Sequence, residues 1–124
     1  MYRQKVDKCP LYPIWLCIIA SDDTKKVNGK YDLGLDFSME DGHTHRKGIK
    51  IPEFKTERVC IFIVLDPTNE QFSQGLIAHE CLHATSYILD WVGIKPDYMN
   101  DEAQAYLMQY IFDQVNDFIK PYMK

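Results

Sequence analysis

The sequence predicts an α+β domain, and three observations carry that reading. Apolar, β-branched segments fill the first half and end at Asp66. Beyond Asp66-Pro67 the apolar residues recur at helical rather than strand spacing. At 124 residues there is room for one core and not two, so 1–124 reads as a single domain. Strands and loops occupy 1–66 and two helices occupy 67–124, which implies a small, mostly antiparallel sheet packed on two antiparallel helices.

Each element has its own signal. "YPIWLCII" (12–19) is apolar and β-branched, as a buried strand is. Arg3, Lys5 and Lys8 in front of it give a superficial likeness to a signal peptide. Asp7 and Pro13 interrupt that pattern, and "IIASDD" lacks a small-x-small cleavage site. "YDLGLDF" (31–37) alternates, with Leu33, Leu35 and Phe37 on one face of a strand. "GIKIPEF" (48–54) is a weaker strand, confined by Pro52 to an edge or an end. "RVCIFIVLD" (58–66) is continuously apolar, the mark of a strand covered on both faces. "SDDTKKVNGK" (21–30) and "MEDGHTHRKG" (39–48) read as polar turns or loops, leaving no helix between the early strands.

In the second half Thr68 is placed to cap a helix, with Gln71 three residues on as in a capping box. That helix is expected from about Asn69 to about Trp91, where "VGIKPD" breaks it. A second is expected from about Asn100 to about Ile119, stopped by Pro121.

Composition narrows the function. A net charge of −4 argues against nucleic acid or an anionic membrane as main partner, since both favour a basic surface. No apolar run reaches the roughly 18 residues of a membrane span. Cys9, Cys17, Cys60 and Cys81 contain no C-x-x-C pair, so free buried thiols in a reducing cytoplasm are expected.

The chemistry centres on "HECLH" (79–83). On a helix, residues four apart lie about 40° apart around the axis, so His79 and His83 share a face and can hold one metal ion. Glu80, about 100° from His79, can reach a water beside that ion without being a ligand. The helix is apolar nearly all round, with Phe72, Leu76, Ile77, Cys81, Leu82, Ala84, Ile88 and Leu89, and is expected to lie inside the fold. Imidazoles buried there would need a partner, and a metal ion satisfies both. "MNDEAQAYLMQYIFD" (99–113) places Glu102 in the first turn of the next helix. Two histidines, a glutamate and one open position form the ligand set of a hydrolytic zinc site.

"HECLH" followed by "NDEAQAY" resembles the gluzincins, thermolysin-like zinc peptidases whose third ligand is a glutamate on a following helix. The likeness covers roughly residues 58–115, and the short chain is most similar to single-domain minigluzincins of bacteria and their phages. The resemblance implies a zincin-like fold, with zinc on His79, His83 and Glu102 and Glu80 as general base. Where such enzymes carry an aspartate four residues after the glutamate ligand, this chain has Tyr106. Asp113 lies on the same helical stripe, with Gln109 between.

Tyr98, just before the second helix, is the first candidate for stabilising an oxyanion, and Tyr87, one turn beyond His83, is the second. His43 and His45, spaced by one residue, are a further candidate pair for metal or substrate, against a bland exposed role. Two functions are open. One is a zinc-dependent peptidase acting on a peptide or protein in the cytoplasm, including a host cytoplasm or virion if phage-encoded. The other is a non-enzymatic virion or accessory interaction protein that keeps a zincin-like fold, with or without its zinc. Glu80 favours the first, because a structural zinc site has no use for that carboxylate. Oligomeric state is not legible.

Overall fold

The computed structural model describes residues 1–31, 42–49 and 58–123, and gives only the backbone at 24, 42, 43, 45–49 and 58. The described residues form a small α+β domain: β1 (Tyr2–Lys8), β2 (Trp15–Ser21), α1 (Thr24–Tyr31), β3 (Gly42–Ile49), β4 (Arg58–Leu65), α2 (Gln74–Val92) and α3 (Glu102–Ile119), then a 3-10 turn (Lys120–Tyr122). The sheet order is β1-β2-β4-β3. β1 runs antiparallel to β2, β3 runs antiparallel to β4, and the two central strands β2 and β4 are parallel.

A parallel central pair explains why β2 and β4 carry unbroken apolar runs. Such strands are covered on both faces, so alternate residues pack into apolar layers on opposite sides of one sheet. Leu16, Ile18 and Ala20 of β2 join Ile61, Ile63 and Leu65 of β4 on one face, packed on Ile77, Cys81, Ala84 and Ile88 of α2 and Leu107, Ile111, Val115 and Ile119 of α3. Cys17 and Ile19 join Cys60, Phe62 and Val64 on the other face, beneath Val27 and Tyr31 of α1.

Two expectations are corrected. Residues 24–31 form a helix, not a turn, so a helix does lie between the early strands. Asp23 starts it: its Oδ1 accepts the backbone N–H groups of Lys25 and Lys26 at 3.0 and 3.2 Å. Val27 and Tyr31, four apart, then face the sheet, and their burial outweighs the low helix propensity of Asn28 and Gly29. Second, the polar stretch read as a loop supplies β3, in register from Gly42 opposite Leu65 to Ile49 opposite Arg58. Its ladder with β4, rather than any apolar alternation of its own, makes it a strand. Residues 2–8, outside every element expected from the sequence, add a further strand that pairs along its whole length with β2. The strand expected at 31–37 keeps only Tyr31, as the end of α1; residues 32–37 lie outside the described residues, as do 50–54 of the weak edge strand.

The face under α1 makes a specific forecast. Tyr2 and Tyr31 both donate to Gln4 Oε1, at 2.8 and 2.9 Å. Burial, helped by the neighbouring Cys17 thiol, pushes the Tyr2 hydroxyl from 10.0 up to about 12, and it raises Tyr31 too. Because the folded values lie above the unfolded ones, this contribution to stability is complete below about pH 10 and is lost as pH climbs through about 12. The melting temperature should therefore decline over that alkaline window, and less steeply in Tyr2→Phe and Tyr31→Phe, as followed by circular dichroism.

Candidate metal centre

The site is built on α2, whose start lies five residues beyond the expected Asn69. Between Asp66 and Phe72 the side chains hold the backbone in turns instead. Asp66 Oδ1 accepts from the Thr68 N–H at 2.9 Å and from the Thr68 hydroxyl at 2.6 Å, and Asn69 Oδ1 accepts from the Gln71 N–H at 2.8 Å. Thr68 therefore caps nothing. Ser73 is the N-cap, its Oγ accepting from the Leu76 N–H at 3.1 Å. Gly93 closes the helix in the left-handed region (φ 83°), and the Ile94 N–H reaches back to the Leu89 carbonyl at 2.8 Å.

Helical period then decides which side chains face out. Ile77, Cys81, Ala84 and Ile88 are buried. His79 and His83 lie on the opposite side and are exposed. This overturns the expectation that α2 lies wholly inside the fold. Leu82 is itself 44 % exposed, because α2 has the sheet and α3 on one side only. Burial thus makes no demand for a partner on the imidazoles.

The demand falls on Glu80. It is 4 % exposed and is the one charged residue among the buried side chains described. Its Oε1 accepts from the Thr44 hydroxyl of β3 at 2.7 Å, and the same hydroxyl stands 3.1 Å from the Glu80 backbone carbonyl oxygen. Its Oε2 faces the imidazole, 4.0 Å from His79 Nε2. Thr44 was invisible in the sequence, because a polar segment gives no sign of the strand that carries it under α2.

His79 Nε2 and His83 Nε2 converge to 3.2 Å, with the rings edge to face. A tetrahedral ion with bonds of about 2.0–2.1 Å separates two ligand nitrogens by roughly 3.3 Å. The pair therefore fits two corners of a zinc site. In that state both Nε2 atoms are unprotonated and each ring carries its proton on Nδ1.

The remaining candidates are dispersed. Glu102 is the first residue of α3 and is exposed. It lies about 140° around the helix from the core residue Leu107. Tyr106, Gln109 and Asp113 on its stripe are exposed as well. Among the described residues no His, Cys, Asp or Glu joins the imidazole pair in a group of three able to hold an ion. Tyr98 is 92 % exposed in the turn before α3. There it lines a groove of about 440 Å³ with Asp97, Asp101 and Met108, and the histidines are not part of that groove. Tyr87 is at the margin of exposure on α2. His43 and His45 stand opposite Val64 and Phe62 in the β3–β4 register, and their side chains lie outside the described residues. Cys81 is fully buried, and burial, then the Glu80 charge, pushes its thiol up to about 12. No described helix is long and apolar enough to cross a membrane.

Compared with known proteins, the chain matches no family model, no curated protein and no solved structure.

Proposed function

We propose that this chain is a zinc-dependent peptidase of gluzincin type, with a zincin-like fold, acting on a peptide or protein. The observation that supports this most is the convergence of His79 Nε2 and His83 Nε2 to 3.2 Å beside the buried Glu80 carboxylate, whose Oε2 lies 4.0 Å from His79 Nε2. Bound zinc supplies Lewis acidity, lowering the pKa of water toward about 7 and polarising a carbonyl. The protein's own part falls to Glu80. With Oε1 held by Thr44, its Oε2 is the atom that takes a proton from the attacking water and passes it to the leaving amine. By the resemblance Glu102 would be the third ligand and Tyr98 the candidate to stabilise the oxyanion, and neither stands with the imidazole pair among the described residues. β3 is one of the two edge strands among the described residues, β1 being the other, and it lies beside α2. An extended substrate backbone suits such an edge. The same reading makes the protein cytoplasmic, or, if phage-encoded, active in a host cytoplasm or virion.

One observation favours the other reading, a non-enzymatic virion or accessory protein: Glu102 does not join the imidazoles here. Two measurements decide between them. Zinc at about 100 times its dissociation constant should stabilise the fold by about 2.7 kcal/mol, roughly 10 °C in melting temperature, and His79→Ala, His83→Ala and Glu102→Ala should each reduce that gain. An unchanged melting temperature with zinc removes the metal site. In a peptide-library digestion, Glu80→Gln should keep its zinc yet lose at least about 100-fold in kcat. Cleavage that persists in Glu80→Gln removes the mechanism, and a zinc-loaded wild type that cleaves nothing makes the accessory reading the better one.

A further inference from the structure

We infer that Thr44 is the positioning residue of Glu80: it fixes the carboxylate so that Oε2 alone faces the imidazoles. The inference rests on the reading of Glu80 as the base. Thr44 Oγ1 lies 2.7 Å from Glu80 Oε1 and 3.1 Å from the Glu80 backbone carbonyl oxygen. One hydroxyl therefore touches both ends of the same residue, and the side chain folds toward β3 instead of extending along α2. A hydroxyl has one hydrogen to give, and the shorter contact is the one to the ionisable oxygen.

The strand register aims this hydroxyl at α2. Thr44 is half-buried, pairs with Ile63 in the β3–β4 register, and Ile63 is fully buried in the core beneath α2. Cross-strand partners share a face of the sheet, so Thr44 is aimed at α2 by the strand itself. Its β-branch stiffens χ1, which a serine would not do as well. Glu80 is only 4 % exposed, so bulk water is not at hand to replace the lost donor. Oε2, 4.0 Å from His79 Nε2, is left as the oxygen that can work.

Thr44→Val keeps the shape of the side chain and removes the donor; Thr44→Ser keeps the donor. In the zinc-loaded full chain, Thr44→Val should lower kcat by about 10- to 100-fold with KM and zinc content little changed. Thr44→Ser should recover most of that loss. On a Glu80→Gln background Thr44→Val should cost almost nothing further, because the two act as one unit. A crystal structure of Thr44→Val should show the Glu80 carboxylate displaced by about 1 Å or more. Thr44→Ala serves for the same measurements if Thr44→Val does not fold. Wild-type kcat in Thr44→Val, an additive loss with Glu80→Gln, or an unmoved carboxylate overturns the role of Thr44 while leaving the peptidase reading intact. Absence of cleavage by zinc-loaded wild type overturns the peptidase reading itself, and the role of Thr44 with it.

Discussion

The burial of one carboxylate on α2 is the constraint around which the rest of the site is arranged. Glu80 sits at the boundary between the helix's apolar stripe and its exposed histidines. A charge in that place needs a donor, and an apolar core offers none. The fold supplies one from outside the helix, the Thr44 hydroxyl of β3. A one-residue screw of α2, about 100° of rotation, that set His79 where Glu80 sits would carry Glu80 away from Thr44 and bring His83 to the buried position of Ala84. The carboxylate's partner and the exposure of the imidazoles thus depend on the same placement of α2.

That placement comes from three layers. α1 covers one face of the sheet and α2 with α3 cover the other, so the parallel pair β2–β4 is buried on both sides and forms a stiff floor. β3 hangs on β4 alone among the described strands. An edge position is where a polar strand costs least and where its side chains can serve a site instead of a core. Lys5 of β1 also reaches across to Gln114 of α3 at 3.0 Å, tying the far edge of the sheet to the helix layer.

How much of this is legible in the sequence depends on whether a signal is local. β2, β4 and α3 are readable because long apolar runs and a terminal proline speak for themselves. So is the end of α2 at Gly93, whose left-handed backbone favours glycine. α1 was missed because its two apolar contacts, Val27 and Tyr31, are scattered among lysines and a glycine. β3 was missed because its partner is β4, well along the chain, and nothing in "GHTHRKGI" announces it. The start of α2 moved because Asp66 and Asn69 offered the backbone turns that competed with a helix. HECLH lies on a helix, as its spacing predicts, but the many apolar residues of that helix do not bury it on every side. Exposed imidazoles need no metal to satisfy them, and what brings them together as a candidate pair is the convergence of their nitrogens to 3.2 Å.

In the proposed function His79 and His83 together hold a zinc ion while Glu80 stays free of it. A crystal of the zinc-loaded protein, measured on both sides of the zinc absorption edge, tests this most directly. The account predicts one anomalous peak about 2.0–2.1 Å from both Nε2 atoms, with Glu80 Oε1 still on the Thr44 hydroxyl. A peak elsewhere in the molecule, an ion ligated by Glu80, or no peak at the histidines would contradict it.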